Sequence, residues 1–405
     1  MNNLVQEAQV LQEELVGIRR HLHVHPEIGM ELPQTTVFVK KKLEEMGYEP
    51  KAAGPGGLSV VAGGKKPGKC FLIRADMDAL PIDEASDDTC RSTNGCMHAC
   101  GHDFHTTMLL GAAKLLKAHE DRIQGSVKLM FQPGEELLLG AKSMIEHGIL
   151  DNPQVDAAAM FHVAVGMPFP AGTILIPGGG AYSSASDHFE VTIQGKGGHG
   201  AMPEHCVDPI LVASHLYLNL QTIISREIAP AETAVISTGI IKAGEVNNVI
   251  PDTASMKGTI RTYNAEVREF ILNRVQEVAI KTAETFRAKA ETHIIEGCPS
   301  VFIDAKVATD VRQILGSVFG KAVINPTELG IPRLGGSEDF SFVTQKVPSV
   351  MLMLSAGSPE EGYAYSMHHP KAIFNEAVLS QGAAAYAITA LGWLEKNAPV
   401  HGVKA

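Results

Sequence analysis

The stretch CMHACGHDFH, residues 96–105, places thiol, imidazole and carboxylate side chains at the start of an apolar, helix-like segment. Cys100 and His102 lie two residues apart, and the glycine between them permits a tight turn. Thiolate and imidazole together suit zinc, nickel, cobalt or a manganese-exchanged site. Two alternatives stay open at this point. Asp103 could cap a helix above a buried cysteine, or Cys100 could be a nucleophile with His102 as its base.

A second chemical feature is the adjacent pair Glu135 and Glu136, which follows an apolar run and the turn residues Pro133 and Gly134. Burying an unpaired carboxylate is costly, so two of them at the end of a buried strand indicate a counter-charge. A metal ion would supply that charge. One glutamate would ligate the ion, and the other would take a proton from a metal-bound water as general base. The alternative is an exposed acidic turn.

Three further histidines lie where loops are expected to meet a sheet edge. His162 ends the run AAAMFHV, and His368 and His369 precede a proline. Each alone is more typical of a hydrogen-bonded histidine or an ordinary loop, but with the cysteine and the glutamates they fit two ions about 3.5–4 Å apart. The alternating histidines of RRHLHVHPE are interpreted as a shaped turn near the site and not as ligands: His21, His23 and His25.

The elements that position these residues are predicted from the apolar pattern. Four continuous apolar runs predict strands buried on both faces, as in a parallel sheet: 69–78, 126–136, 155–163 and 349–357. Amphipathic patterns predict helices at 35–48, 103–120 and 376–397. The alternation predicts an α/β sheet with functional residues beyond the carboxyl ends of its strands. Three of the runs end in polar residues: Asp76 with Asp78, the glutamate pair, and His162.

The middle of the chain has a different pattern. A strand is predicted at 188–197, and Asp208-Pro209 opens a helix as an N-cap followed by proline. Two strand-like runs, a long helix at 265–288 and a final strand follow, which gives the order β-α-β-β-α-β. We therefore predict an inserted α+β domain at 186–297, between two parts of a catalytic domain at 1–185 and 298–405.

Composition narrows the function classes. The 405 residues carry a formal net charge of −11 and are 45% hydrophobic, which is typical of a globular protein and argues against nucleic acid or anionic membranes as partners. No uninterrupted apolar stretch approaches the roughly 18 residues of a membrane span. The N-terminus lacks the pattern of a secretory signal, so a cytoplasmic location is expected. Six cysteines are too few for a disulfide framework, which favours ligation or burial for each.

Motifs along nearly the whole chain resemble one enzyme family. The matching stretches are RRHLHVHPEIGMEL, LIRADMDALPI, MHACGHDFHTTMLLGAA, FQPGEE with GAKSMIEHG, GKGGHGAMP, NNVIPDTASMKGTIRT, GGSEDF and HHP. Together they resemble the binuclear metallo-amidohydrolases and carboxypeptidases. That family includes hippurate hydrolases, auxin–amino-acid conjugate hydrolases, aminoacylases and glutamate carboxypeptidases. The similarity is greatest to the hippurate and auxin-conjugate branch.

The resemblance implies a mechanism and a role for each matching residue. Glu135 matches the general base that activates a metal-bridging water, which attacks the amide carbonyl. Asp76 and Asp78 would orient the metal ligands. Two divalent ions, of zinc, manganese, nickel or cobalt, would be bound by the residues that match the family's ligands: Cys100, His102, Glu136, His162 and His368.

The inserted domain resembles a lid that also forms dimers in relatives. His199 matches a histidine that stabilises the oxyanion in the partner's active site. Asn248 and Arg261 match residues that hold the substrate, since an arginine fork suits the free carboxylate of an amino acid. We therefore expect a homodimer or higher homo-oligomer. The expected substrates are small-molecule N-acyl amino acids: hippurate-like, N-acetyl or aryl-acyl conjugates. A dipeptidase or carboxypeptidase on the same site is the alternative. A non-catalytic binder is disfavoured, because no implied ligand is lost.

Two stretches depart from the family pattern. LLLGAK follows the glutamate pair where relatives usually carry small or glycine residues, which would narrow the pocket rim or make it more apolar. The last motif is HHP, where a small polar residue usually follows the ligand histidine. Alignment on the proline favours His368 over His369 as the ligand.

Overall fold

Buried apolar runs and amphipathic segments account for most of the regular elements in the computed structural model, which describes residues 2–398. Its α-helices, numbered in chain order, are α1 (Asn2–Val10), α2 (Gln12–Val24), α3 (Pro33–Glu45), α4 (His102–Ala118), α5 (Gly140–Glu146), α6 (Pro209–Thr222), α7 (Ala265–Thr285), α8 (Ala305–Phe319), α9 (Ser341–Thr344) and α10 (Leu379–Lys396). Its strands are β1 (Lys51–Ala52), β2 (Leu58–Lys66), β3 (Cys70–Asp76), β4 (Gly125–Gln132), β5 (Ala157–Ala164), β6 (Ile174–Leu175), β7 (Gly180–Ala181), β8 (Ala185–Gln194), β9 (Gly198–His199), β10 (Ala234–Ala243), β11 (Val249–Ile250), β12 (Thr253–Thr262), β13 (Lys289–Glu296), β14 (Phe302–Ile303), β15 (Val323–Ile324) and β16 (Ser349–Ser355).

The first compact unit comprises residues up to Gly180, Phe302–Pro332 and the described residues from Phe342 onward. It contains a sheet of the order β1-β2-β4-β3-β5-β16-β6-β15. The central strands β4, β3, β5 and β16 are parallel neighbours, and β2 and β6 flank them in antiparallel pairing. Every residue of these central strands is buried, and helices including α4 and α10 pack against the sheet. The prediction of an α/β fold with a mostly parallel sheet is confirmed.

The four predicted central strands place the polar residues at one edge of this sheet. β3 ends at Asp76, and Asp78 follows it. β4 ends at Gln132, so the glutamate pair lies in the turn beyond its carboxyl end. His162 lies inside β5, near the same end. Because the strands are parallel, their carboxyl ends meet at one edge, and the candidate residues are gathered there.

The second compact unit comprises Ala181–Val301 and Arg333–Ser341. Its main elements follow in the predicted order β8, α6, β10, β12, α7, β13. The strands form an antiparallel sheet, β10-β12-β8-β13, and the core lies between this sheet and α6 and α7. Asp208 caps α6 as predicted, since its carboxylate accepts from the backbone amides of Ile210 and Leu211. The boundaries at 186 and 297 and a lid role for this unit stay predictions.

A helix at 376–396 is the one candidate among the described residues that is long and apolar enough to span a membrane, but most of it is buried inside the protein. Tyr386 in α10 illustrates this burial. Its side chain is fully buried, and its hydroxyl donates to the backbone carbonyl of Arg74 at 2.8 Å. The helix is therefore a core helix of the first unit.

Candidate metal centre

A glycine turn at the start of α4 holds the cysteine and the first histidine of the cluster. Gly101 has a φ of 83°, and a Cβ at this position would lie 2.4 Å from a side-chain carbon of β5. Glycine therefore lets Cys100 and His102 approach the sheet edge, where both are buried. Asp103 does not cap the helix as expected. It lies in the first turn of α4, and its carboxylate accepts from Nε of Arg19 at 2.9 Å.

The five predicted ligands lie together in the first unit. Sγ of Cys100 is 3.6 Å from Nε2 of His162 and 3.2 Å from Nε2 of His368. Oε1 of Glu136 is 3.5 Å from Nε2 of His368 and 3.9 Å from Nε2 of His102. Two overlapping sets have their ligand atoms within 4.8 Å of one another: Cys100, His102 and His162, and Cys100, Glu136 and His368. The two sets share only the cysteine, so each set offers three ligand atoms to its own ion and the cluster has the ligands for two ions.

Asp78 connects the first imidazole to the glutamate pair. Its backbone carbonyl accepts from Nδ1 of His102 at 2.9 Å. Its carboxylate accepts the backbone N–H groups of Glu135 and Glu136, each at 3.1 Å. Since the proton of His102 is on Nδ1 in this arrangement, Nε2 is the nitrogen left to bind a metal. These contacts are those of a residue that orients ligands.

Asp76 lies behind the cluster in a buried network that follows only partly from the sequence. Its carboxylate accepts from Nη1 of Arg74 at 2.6 Å, contacts Nδ1 of His105, and lies 3.6 Å from Nε2 of His102. Burial alone would raise the pKa of Asp76, but the Arg74 guanidinium and the imidazoles hold it well below its usual range. His105 was not predicted, although its three-residue spacing from His102 places both on one helix face.

The HHP motif places its two histidines in different surroundings. His368 has a φ of 65°, and its amide donates to the carbonyl of Ala99 at 2.9 Å, which keeps its ring beside Cys100. The ring of His369 instead stacks on Tyr365, with centroids 4.3 Å apart. The geometry therefore favours His368 as the ligand.

The donor set fits a divalent cation on physical grounds. Two buried atoms at the cluster, Nε2 of His102 and Oε1 of Glu136, have no hydrogen-bond partner within residues 2–398. Burial raises the pKa of Glu136 to about 7, and it also raises the pKa of the Cys100 thiol. A cation would compensate this buried carboxylate and favour the thiolate. Sulfur, imidazole nitrogen and carboxylate oxygen are the donors that zinc-like ions accept.

A second buried network, which was not predicted, lies behind the start of α4. Arg19 and His23 are on α2, and both contact Asp103, through Nε at 2.9 Å and Nδ1 at 2.8 Å respectively. Arg19 also reaches Asp88 at 3.1 Å, and His23 contacts Glu84 at 3.2 Å. The alternating histidines thus lie at the end of a helix and not in the expected turn.

The predicted residues of the second unit lie in two places within it. His199 is on β9 and Asn248 directly precedes β11, and these two short strands pair. β11 ends just before β12 begins, whereas Arg261 is the last residue but one of β12. The 10 residues of that strand span roughly 30 Å. The unit therefore brings His199 and Asn248 together and leaves Arg261 at the far end of a strand.

Residues 72–391 match the family profile described as peptidase family M20/M25/M40. The chain belongs to this family. N-acetyl-L-cysteine deacetylase of Bacillus subtilis is 37% identical over 91% of this chain and 85% of the relative. IAA-amino acid hydrolase ILR1-like 2 of Arabidopsis thaliana is 36% identical over 95% of this chain and 86% of the relative. Thermostable carboxypeptidase 2 of Saccharolobus solfataricus is 35% identical over 98% of this chain and 99% of the relative.

A solved structure agrees with this assignment to the M20/M25/M40 family. It is a Bacillus subtilis protein described as a dinuclear metal-binding peptidase of the M20 family. It has a TM-score of 0.81 and 31% identity to this chain, and the match covers 96% of this chain and 99% of that one. This M20-family chain is therefore an enzyme of the metallo-amidohydrolase and carboxypeptidase type, with two divalent metal ions as cofactor.

Proposed function

We propose that this M20-family enzyme hydrolyses the amide bond of N-acyl amino acids and releases a carboxylic acid and a free amino acid. The observation that carries the proposal is the pair of overlapping ligand sets around Cys100, with Glu135 in the same turn as Glu136. The relatives support the substrate class, since two of them are named for N-acetyl-L-cysteine and for IAA-amino acids.

The proposal assigns the binding of the two ions to one set of side chains. When bound, the ions supply the Lewis acidity that polarises the amide carbonyl and lowers the pKa of a water. Asp78 holds Nδ1 of His102, and Asp76 lies beside Nε2 of the same ring. The proposed ligands are Cys100, His102, Glu136, His162 and His368.

Glu135 is the proposed general base. It is buried, and its Oε2 lies 3.9 Å from Nε2 of His102, at the edge of the ligand cluster. Its backbone is fixed by the carboxylate of Asp78. In the proposed reaction Glu135 removes a proton from the attacking water and then gives that proton to the nitrogen of the departing amine. The carbonyl carbon gains the water oxygen and loses the nitrogen.

The first experiment measures metal content beside hydrolysis of acetyl, benzoyl and indoleacetyl amino acids. We expect two ions per chain, with activity lost on chelation and regained when metal is restored. Glu135→Gln should retain the ions and lose roughly 10²–10⁴-fold in kcat, whereas the matched variant Glu136→Gln should lose metal. Hydrolysis by metal-free protein that is abolished by a thiol alkylator would refute the proposal and support Cys100 as a nucleophile.

A dipeptidase or carboxypeptidase is the second candidate function. It is favoured by the 35% identity to a relative named thermostable carboxypeptidase 2, over 99% of that relative. The same assay extended to dipeptides separates the two candidates. A metal-loaded protein that is inert on every N-acyl amino acid and cleaves dipeptides would replace the first proposal with the second.

The proposal also gives the second unit the role of a lid and dimerisation domain in a homo-oligomer. Asn248 and Arg261 are proposed to hold the substrate, with the guanidinium of Arg261 at its free carboxylate, and His199 is proposed to stabilise the oxyanion in the active site of a second copy. Mixing His199→Ala with Glu135→Ala protein should restore part of the activity, because one active site of the mixed dimer then has both residues. Exchanged dimers without activity would contradict shared sites. The expected cytoplasmic location stays a prediction.

A further inference from the structure

We infer that His105, in the first turn of α4, is a positioning residue that holds the ligand His162 through the backbone of Val163. The inference rests on the proposed function, which assigns His162 as a metal ligand. Nε2 of His105 accepts the backbone N–H of Val163 at 2.7 Å, and the His105 side chain is fully buried. His105 is not among the proposed ligands, so its contacts define a separate role.

The end of a strand ladder explains why a side chain is needed at this place. On one side β5 pairs with β16 to its last residue, but on the other side its ladder with β3 ends at Met160. The buried backbone N–H groups beyond this point need other partners, because an unpaired buried amide is costly. The amide of Phe161 donates to the hydroxyl of Tyr386 at 3.2 Å. The amide of Val163, two residues further on, donates to His105.

The peptide that His105 holds also orients the ligand ring. The carbonyl of Val163 accepts from Nδ1 of His162 at 2.6 Å, which leaves Nε2 of that ring to bind a metal. This Nε2 lies 3.6 Å from Sγ of Cys100. The rings of His105 and His162 also meet edge to face, with centroids 4.6 Å apart. His105 therefore fixes the N–H of the residue whose C=O fixes the ligand.

His105 cannot itself bind an ion while these contacts hold, although Asp76, His102 and His105 have their ligand atoms within 4.8 Å of one another. A backbone amide can only donate, so Nε2 of His105 is the acceptor and the ring proton is on Nδ1. That proton is donated to the carboxylate of Asp76, which is itself held by Arg74 at 2.6 Å. Both nitrogens are thus engaged, and the ring joins the buried Asp76 to β5.

The contact is expected to act on one of the two ions. His162 belongs to the ligand set that includes His102, and not to the set that includes Glu136. Loss of a partner that orients a ligand typically changes metal affinity by about 10- to 100-fold. Removal of the acceptor on His105 should therefore weaken one binding step by about this factor and leave the other step little changed.

The test titrates metal-free protein with Zn²⁺ against a chromophoric chelator, which measures the affinity for each ion without catalysis. His105→Asn retains a donor near Asp76, but its shorter side chain does not reach Val163, so it should weaken one binding step by about 10- to 100-fold. His105→Gln places an amide oxygen near the position of Nε2 and should keep both affinities close to those of the wild type. His162→Ala removes the ligand itself and should lose the same binding step.

Tyr386→Phe is the matched control for the strand. It takes the hydroxyl acceptor away from the amide of Phe161 and leaves the contacts of His105 and Val163 in place. This variant should have a lower Tm, but both of its binding steps should keep wild-type affinity. Tm is measured with chelator present for every variant, so that loss of stability and loss of metal affinity are separated.

Three results would overturn the role of His105 and leave the proposed function intact, provided that His162→Ala loses one ion. They are wild-type affinity for both ions in His105→Asn, equal weakening of both binding steps in that variant, and equal weakening by Tyr386→Phe. A His105→Gln protein as weak as His105→Asn would likewise contradict an acceptor role. Two ions bound at wild-type affinity by His162→Ala would instead refute the proposed ligand, and the inference would fail with it.

Discussion

Protonated His23 is predicted to stabilise the structure behind the metal centre, and its contribution should vanish at high pH. The side chain is 2% exposed, and its two ring nitrogens contact Asp103 at 2.8 Å and Glu84 at 3.2 Å. Burial alone would lower the pKa of His23, and Arg19 opposes protonation as well. The two carboxylates outweigh both effects and raise the pKa to about 9. We therefore expect His23 to be a buried cation at neutral pH.

The direction and size of the effect follow from this pKa. The value in the folded protein lies above the ordinary value of 6.5, so the stabilisation is fully present below pH 6.5 and is lost as the pH rises through about 9. A difference of this size corresponds to about 3 kcal/mol in the free energy of unfolding, at about 1.4 kcal/mol per pKa unit. For a folding unit of this length it amounts to roughly 5 °C in Tm.

The assay is thermal unfolding of the wild type and of His23→Gln from pH 6 to 9.5, with chelator present so that metal binding does not contribute. The wild type should exceed His23→Gln in Tm at pH 6, and the difference should shrink by roughly 5 °C by pH 9.5. The matched control His25→Gln changes an exposed histidine just after the same helix and should show a constant difference. Parallel curves for the wild type and His23→Gln would refute the reasoning that His23 is held as a cation.

Two further substitutions test the buried scaffold. Arg19→Met should lower the free energy of unfolding by about 3–5 kcal/mol, because it leaves the Asp103 carboxylate buried with only His23 to compensate it. The control is Arg20→Met, which changes an exposed arginine and should lower the free energy of unfolding by less than about 1 kcal/mol in chemical denaturation. Equal decreases for Arg19→Met and Arg20→Met would contradict a special role for the buried arginine. Gly101→Ala should lower both metal content and Tm, because its Cβ would meet a β5 side chain at 2.4 Å. The control is Gly64→Ala. Gly64 has a similar φ of 81°, but a Cβ added there would have no atom within 4 Å, so this variant should lower the free energy of unfolding by only about 1–2 kcal/mol and should still bind metal. Equal metal content in the two glycine variants would refute the packing argument.

The fold and the ligand cluster could be predicted because each depends on short-range pattern and on chemical type. A fully buried parallel strand such as β5 needs a continuous apolar run, and that run is visible in the sequence. His162 then stands out as a polar residue inside such a run. Glu136 stands out because two adjacent carboxylates beyond a buried strand are hard to explain by packing alone, and Cys100 stands out because it lies two residues from His102 at the start of a helix. The HHP motif required the structure, because only the backbone at His368 distinguishes its ring from that of its neighbour.

The Arg19 network could not be predicted, because it depends on contacts between distant parts of the chain. Arg19 and Asp103 are 84 residues apart in sequence, and the sequence has no pattern that pairs them. The histidine alternation of RRHLHVHPE suggested a turn because a two-residue period is not helical. Tertiary packing overrides that pattern, and the helix places His23 inward and His25 at the surface. Asp103 was interpreted as a possible helix cap because the sequence does not reveal its distant partner, Arg19.

The distribution of positive charge among the buried carboxylates explains why metal would bind where it does. Asp76 is paired with Arg74, and Asp103 is paired with Arg19, so each of these carboxylates has its own permanent cation. Within residues 2–398, no lysine or arginine forms an ion pair with Glu136, whose basic neighbours are imidazoles, and burial raises its pKa to about 7. A buried carboxylate without a fixed cation is the place where a divalent ion is stabilised most. The two arginines therefore pair with carboxylates of the scaffold and leave the carboxylate of Glu136 to be compensated by the metal. The sequence could not show this, because it does not reveal which carboxylate pairs with which arginine.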